Sequence, residues 1–365
     1  MTADLLTPRQ LNRATLHRQH LLGRVRRPAL DVVRQLVGLQ AQNPRDPYVA
    51  LWSRLVDFDP TELEELLLDR QVVRLVVQRG TVHVVTADDC LVLRPLAQPI
   101  LVQQLHAHQS YKHSFEGVDL DDVMDGARQI LDQPRNARQL REALAAQFPD
   151  LDAGAMAFAC RNLLAFVQVP PRGLWNKSGA VIGTTAEAWL GRPLDESSSV
   201  DAVMLRYVAA FGPATIRDAA TWSRYTGLRE VFERLRPQLR TFHDDAGREL
   251  FDVPDSVVPD PDTPAPPRFL PEYDNVLLAH ADRRRIVGDE FRARMPYERL
   301  GFLGNLLVDG MLVGGWRLDD RAMLTVYTVD QLDVRARHDV EAEAHRLLHL
   351  LAPDGRHEVR FEIVG

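Results

Sequence analysis

A helical pattern of apolar residues near the start of the chain ends at two closely spaced amides. The pattern predicts a helix over about residues 29–39. Pro44 favours an extended backbone just before it, and in an extended segment residues i and i+2 project from the same side. We therefore expect Gln40 and Gln42 to reach into one shared space.

The predicted elements repeat in the order helix, helix, helix and β-hairpin. In the first copy, helices are predicted from Thr7-Pro8 onward, over 29–39 and over 59–68, followed by a strand at 82–85. The second copy has helices at 121–131, 136–148 and 153–166 and a hairpin at 167–182. The third has helices at 200–211, 215–223 and 227–235, then strands on either side of a turn at 244–247. This order is the winged-helix arrangement.

The last third of the chain has a different pattern. Residues 254–271 are rich in proline and aspartate and lack apolar periodicity, which predicts a linker. Two apolar strands then flank Asp309-Gly310, a strong hairpin signal, and a helix at 341–351 lies between strands at 324–329 and 359–363. We therefore predict an α+β fold with winged helices over residues 1–115, 116–195 and 196–255, and a linker with a β-rich domain over 256–365.

Composition narrows the class of protein. The 365 residues include 45% hydrophobic and 26% charged residues, with no long apolar run and no signal peptide, so we expect a cytoplasmic protein, associated with the nucleoid when bound to DNA. The formal charge of -7 argues against a surface that is basic all over, although a basic concave face remains compatible with nucleic-acid binding.

Cysteine and lysine usage limits the chemistry. Cys90 and Cys160 have no metal-type spacing, so we expect buried thiols and no metal site. Lys112 and Lys177 are the only lysines, which restricts mechanisms that need an amine nucleophile. Motifs for nucleotide binding, nucleophile elbows and zinc peptidases are absent from the sequence, and no cofactor is expected.

The amide pair suits one kind of chemistry. Primary amides are poor bases, but they can hold a water through one donor and one acceptor, and their carbonyls can face a developing cation. Such a pair would serve a reaction whose leaving group is already activated. An isolated Gln-x-Gln is more often a solvated helix end, so the motif depends on its context.

Two further segments carry candidate residues. Arg79, beside Gly80, is a candidate phosphate contact, whereas a lone histidine such as His83 on an alternating strand is more often structural than catalytic. Arg283, Arg284 and Arg285 form a basic run beside a predicted hairpin. Such a run is usually solvated, and here it could follow a DNA backbone.

Five segments together resemble one family across nearly the whole chain. They are Leu39-Gln40-Ala41-Gln42, residues 47–54, residues 79–83, residues 270–275 and residues 309–317. The family is the tandem winged-helix DNA glycosylases related to AlkZ, which gives self-resistance to producers of azinomycin-type DNA-alkylating antibiotics. Gln42 at the second motif position resembles the resistance-type branch, because a related branch carries Gln-x-Asp there.

The resemblance implies a C-shaped clamp of three winged helices and a β-rich domain. It implies that Gln40 and Gln42 are catalytic and that a β-hairpin probes the minor groove. We place that hairpin on residues 306–316, with the wing hairpins as rivals. The residues then expected to contact DNA are Arg54, Arg79, His83, Arg283, Arg284, Arg285, Asp309, Gly310 and Met311.

The expected function is base excision repair of alkylation damage. A monomeric, monofunctional glycosylase without a metal would release cationic N7- or N3-alkylpurines from double-stranded DNA, including bulky adducts. Whether it also acts on interstrand crosslinks is left open by the sequence. Gln42 would position the water and Gln40 would support the sugar or that water. The alternatives are a winged-helix transcription regulator and a drug-sequestering resistance protein.

Overall fold

The computed structural model describes residues 5–365, and the N-terminal part of the chain begins with well-capped helices. Thr7 caps the first helix in a capping box with Gln10, and Asp59 caps the helix that starts at Pro60, as the sequence predicts. The elements of this part are β1 (Leu5–Leu6), α1 (Pro8–Arg18), α2 (Ala29–Gln35), β2 (Leu39–Gln40), α3 (Asp46–Trp52), α4 (Pro60–Leu68), β3 (Val72–Val76), β4 (Val82–Thr86) and α5 (Ala87–Ala107).

The second helix is shorter than predicted, and this places the amide motif on a strand. The chain turns at Val37 and Gly38, whose φ angles are 55° and 97°. A Cβ on Gly38 would lie 2.7 Å from Val85 Cγ1, so glycine is required at this close approach. Residues Leu39–Gln40 then leave the turn as β2.

The second and third parts follow the predicted order of elements closely. The second part comprises α6 (Leu120–Ile130), β5 (Arg135–Asn136), α7 (Ala137–Gln147), α8 (Ala153–Leu163), β6 (Phe166–Gln168), β7 (Ile182–Thr185) and α9 (Ala186–Leu190). The third comprises α10 (Val200–Phe211), α11 (Ile216–Ser223), α12 (Leu228–Leu235), β8 (Arg240–Asp244) and β9 (Glu249–Asp252). The predicted helix boundaries differ from these by three residues or fewer because caps and breakers mark the ends.

The hairpins of the first two parts share one sheet. Its strand order is β2-β4-β3-β6-β7-β5, with Leu75 of β3 opposite Val167 of β6. In the third part, β1 pairs in parallel with β8, so the start of the chain completes a sheet more than 200 residues away in sequence. The three parts are therefore joined through backbone pairing as well as side chains.

The C-terminal part is a five-stranded sheet of order β10-β11-β12-β13-β14. Its elements are β10 (Arg268–Leu270), α13 (Asn275–Leu278), α14 (Asp289–Arg294), α15 (Tyr297–Leu300), β11 (Gly304–Val308), β12 (Met311–Leu318), β13 (Met323–Thr328), α16 (Val334–Leu351) and β14 (Glu358–Ile363). The predicted linker over 254–271 is thus wrong at its end, where β10 pairs with β11. All three residues of β10 are buried, so the strand has no alternation of apolar and polar positions by which the sequence could reveal it.

The C-terminal sheet and the first part share a core. Phe269, Leu324 and Leu347 belong to the same buried cluster as Leu51 and Val33. This packing fixes the module that carries the amide motif against the C-terminal sheet. Among residues 5–365, every helix is too short or too polar to cross a membrane.

Candidate active site and nucleic-acid interface

Strand β2 and the two residues that follow it place both glutamines of the motif against β4. Gln40 lies opposite His83 in the antiparallel register, and the Ala41 amide donates to the Val82 carbonyl at 2.8 Å. Gln42 follows at the exposed end of the strand, where its Oε1 accepts a hydrogen bond from the Val82 amide at 3.0 Å. Both side chains therefore bond to the 79–83 segment, and Gln40 itself is only 6% exposed.

Arg79 joins this group from the turn between β3 and β4. One terminal nitrogen, Nη2, lies 2.7 Å from Gln40 Oε1 and 3.2 Å from His83 Nε2. The other, Nη1, donates to the Trp222 carbonyl at 3.0 Å. The structure thus gathers Gln40, Arg79 and His83, which the sequence proposed separately, and adds a backbone oxygen from α11 that no sequence signal indicated.

The contacts define which way each amide faces. Arginine and the backbone N–H can only donate, so the atoms they contact must be the amide oxygens of Gln40 and Gln42. Neither amide nitrogen has a hydrogen-bond acceptor within the described chain, residues 5–365. Each amide therefore has an N–H group and a second oxygen lone pair left for a ligand or a water.

The ionisation of this group follows from burial. Burial, reinforced by the charge of Arg79, lowers the pKa of His83 to about 3, so the imidazole is neutral. Its Nδ1 then donates to the Thr81 carbonyl at 2.9 Å, and its Nε2 accepts from Arg79. Burial, with Arg224 and Arg283 nearby, lowers the pKa of Arg79 to about 10, which leaves it cationic at neutral pH.

Several of the predicted DNA contacts are buried. His83 is 2% exposed and both of its ring nitrogens are hydrogen-bonded within the chain, so its expected DNA contact is corrected. Two predicted arginine contacts also lie in the core. Arg54 is fully buried and forms a two-pronged ion pair with Asp274, with N–O distances of 2.9 and 2.8 Å. Arg285 is 7% exposed and donates to Thr15 Oγ1 and the Pro213 carbonyl. The expectation that Arg54 and Arg285 contact DNA is therefore corrected, because neither guanidinium faces a surface that a phosphate could reach.

The rest of the basic run lines an open groove. The groove has a volume of about 470 Å³ and lies between α11 and residues 281–292. Arg284 is exposed and pairs with Asp282 at 2.6 Å, whereas Arg283 is half-buried. The groove also contains Asp218, Glu249 and Asp289. Its arginines are Arg217, Arg248, Arg283, Arg284 and Arg292. Among them Arg217, Arg283 and Arg292 form no ion pair with any carboxylate in residues 5–365.

The hairpin expected to probe DNA is docked on the N-terminal helix instead. Asp309 forms ion pairs with Arg9 and Arg13 of α1, and Asn12 donates to the Gly310 carbonyl at 2.8 Å. Gly310 is buried, and a Cβ there would lie 2.5 Å from Leu16 Cδ1. This corrects the expectation that Gly310 contacts DNA.

Met311, the residue after that turn, also contacts helix α1. Met311 is half-buried, and its sulfur lies 3.7 Å from Asn12 Nδ2. The predicted DNA contacts of Asp309, which is exposed, and of Met311 stay predictions. The rival wing hairpins remain as candidates for the hairpin that probes DNA.

Asp46, four residues after Gln42, was missed by the sequence analysis. Its Oδ2 is buried without a hydrogen-bond partner, and burial, with Glu272 nearby, raises its pKa to about 8. It borders a cavity of about 200 Å³ together with Asn43 and Trp316. Nothing local marks it, because an Asp-Pro pair at a helix start is normally a solvated cap. Within residues 5–365, His, Cys, Asp and Glu side chains form no group of three that could hold a metal ion.

The class of protein follows from comparison of this chain with known families. A sequence profile described as DNA glycosylase AlkZ-like matches residues 33–350, so the chain belongs to the AlkZ-like DNA glycosylase family. The solved structure of the Streptomyces sahachiroi DNA glycosylase AlkZ is similar to it, with a TM-score of 0.78 and 21% sequence identity over 99% of this chain and 100% of that chain. Comparison with curated proteins gives no match.

These findings confirm the resemblance and the α+β fold predicted from the sequence. At 21% identity the structural likeness bears on the fold. The number of winged helices, the domain boundaries and the roles of individual residues stay predictions.

Proposed function

We propose that this chain is a monofunctional DNA glycosylase that hydrolyses the N-glycosidic bond of cationic N7- and N3-alkylated purines in duplex DNA. One observation supports this above the others. The amides of Gln40 and Gln42 are held at their oxygens by Arg79 and by the Val82 amide, which orients both side chains without a hydrogen bond to any carboxylate.

The substrate explains why amides suffice. Alkylation at N7 or N3 makes the purine cationic and already a good leaving group, so the C1′–N bond breaks toward an oxocarbenium-like sugar without proton donation. His83 is neutral and both of its ring nitrogens are engaged, so it is not placed to act as the acid. The site therefore matches a reaction that needs orientation and dipoles rather than strong acid catalysis.

The two amides have different surroundings, which suggests different roles. Gln42 is exposed, so its amide nitrogen and the second lone pair of its oxygen can hold the attacking water. Gln40 is buried against Arg79, and the second lone pair of its oxygen can face the sugar or that water. Dipoles fixed before the reaction need no reorientation in the transition state, which is the source of their catalytic effect.

The experiment measures release of 7-methylguanine from a duplex under single-turnover conditions. Gln40→Ala and Gln42→Ala should each slow release by about 10²-fold or more, the usual effect of removing one positioned polar group, with unchanged DNA affinity. Gln129→Ala is the matched control, because Gln129 is an exposed glutamine on α6. Release at the wild-type rate by both motif variants would refute the assignment, and sequence-specific binding without any release would favour a transcription regulator.

A further inference from the structure

Arg79 is a partly buried cation whose direct partners are all neutral. Its two terminal nitrogens contact the Trp222 carbonyl, Gln40 Oε1 and His83 Nε2. No carboxylate within residues 5–365 forms an ion pair with it. Arg18 and Arg54, which are also buried, each face a buried carboxylate at 2.8 Å.

Other positive charges approach the same place. Arg224 ends α11 two residues after Trp222, is exposed and has no ion-pair partner in the part of the chain that the structure describes. Arg283 comes from the groove segment and is likewise without a carboxylate. Both reach the surroundings of Arg79 through α11: Arg79 contacts the Trp222 carbonyl two residues before Arg224, and Arg283 lines the groove beside Arg217 and Asp218 of the same helix. Besides burial, their charges also lower the pKa of Arg79.

We infer that Arg79, Arg224 and Arg283 bind a phosphodiester of the damaged DNA strand, next to the nucleotide that loses its base, and that Arg79 thereby acts as the positioning residue for Gln40. This inference rests on the proposed function and adds the backbone site that accompanies it. The Nε–H of Arg79 and one N–H of its Nη1 have no acceptor within residues 5–365, and each can donate a charge-assisted hydrogen bond to a phosphate oxygen.

Phosphate binding also removes an electrostatic conflict. An unneutralised cation beside Gln40 would oppose the positive charge that develops on the sugar during bond cleavage. A phosphate on Arg79 offsets part of that charge, and the sugar of a nucleotide is joined directly to its own flanking phosphates. Binding the backbone therefore aligns the sugar with the amide and makes the surroundings favourable for a cationic transition state.

The first test alters the DNA and leaves the protein intact. Duplexes carrying one 7-methylguanine receive a single neutral methylphosphonate at each phosphate near the lesion in turn. Wild-type protein should show one or two adjacent linkages at which single-turnover release slows by about 10-fold or more, while neutral linkages elsewhere change mainly affinity. Uniform rates at all linkages would overturn the inference.

The second test asks whether Arg79 is the residue that contacts the sensitive phosphate linkage. Arg79→Met should slow release strongly and should lose sensitivity to the linkage that slows the wild type, because the contact is already absent. Arg79→Lys retains the positive charge but lacks the planar guanidinium group. Relative to Arg79→Met, it should therefore restore DNA affinity more than it restores the rate of base release at saturating protein. Arg128→Ala, an exposed arginine paired with Asp125 on α6, is the control. Equal slowing of wild type and Arg79→Met by the neutral linkage would overturn the assignment.

The two hypotheses fail in different ways. If wild-type protein releases no base from any duplex, the proposed function fails and this inference fails with it. If release is normal but independent of the backbone charge near the lesion, the glycosylase stands and the phosphate site is refuted. If Arg79→Lys loses affinity and rate equally, Arg79 contributes binding alone and does not position Gln40.

Discussion

Replacing Arg54 should test whether this arginine belongs to the core or to the DNA surface. Arg54→Met removes the charge and keeps much of the side-chain volume. The guanidinium is completely buried, and the Asp274 side chain that it pairs with is 1% exposed. Asp274 also caps α13 through the Val276 amide. Removing one partner of a buried pair leaves the other charge uncompensated, so we expect a loss of about 3–5 kcal/mol in the free energy of unfolding.

A double-mutant cycle separates the interaction between Arg54 and Asp274 from the other effects of each substitution. Urea unfolding, followed by tryptophan fluorescence, is measured for Arg54→Met, Asp274→Asn and the double variant. The double variant should be less destabilised than the sum of the single variants by about 2 kcal/mol or more, since neither charge is then left alone. Arg26→Met is the control, because the exposed pair of Arg26 with Asp57 should contribute about 1 kcal/mol or less.

The same variant addresses the DNA question. DNA affinity of folded Arg54→Met, and its dependence on salt concentration, should match the wild type. Wild-type stability combined with weaker binding and a flatter salt dependence would refute the buried assignment and restore Arg54 as a backbone contact.

The remaining predictions concern charge, nucleophile and substrate. The folded-state pKa of Asp46 is raised from 3.8 to about 8, so the free energy of unfolding should be highest below pH about 4 and fall as the pH rises toward 8. Asp46→Asn should therefore raise the free energy of unfolding over the wild type by up to about 4 kcal/mol at pH 7 and by little at pH 4. An equal gain in urea unfolding at both pH values would contradict this. Borohydride should trap no covalent protein–DNA adduct, since the chain has only two lysines and the site contains neither. Uracil and 8-oxoguanine should be released far more slowly than 7-methylguanine, and comparable rates would point to an acid, with Asp46 the first carboxyl to remove. Combined Arg217→Ala, Arg283→Ala and Arg292→Ala should weaken DNA binding and reduce its salt slope by about 2 to 3, while an unchanged slope would exclude the groove as a backbone contact.

Local signals predicted the helices well because their causes are local. Thr7 and Asp59 satisfy backbone N–H groups within three residues, so the caps can be recognised in the sequence itself. The helix before the motif was predicted too long because the apolar period continues through Val37, which adopts a left-handed conformation in the turn. Only the approach of Val85 to Gly38 shows why the chain must turn there.

The arginines show where the sequence falls short. Arg283, Arg284 and Arg285 are consecutive, yet one is half-buried, one pairs with Asp282 on the surface and one is enclosed in the core. Charge alone cannot separate these cases, because the deciding partners are distant in sequence. Arg285 donates to Thr15, which is 270 residues away. Gln40, Gln42, Arg79 and His83 do lie together, because β2 and the residues after it run along β4 of the β3–β4 hairpin. Their roles stay predictions.

Helix α1 has consequences for how this protein is made and how it can change. Its Arg18 pairs with Asp252, and its Arg13 pairs with Asp309, partners that are synthesised 234 and 296 residues later. The helix therefore cannot complete its ion pairs until most of the chain has been translated, which favours late and cooperative assembly. For the same reason, a recombination event that exchanged the third part or the C-terminal sheet would leave charged groups of α1 without partners, so new specificity is more readily acquired in the exposed loops than by exchange of whole modules.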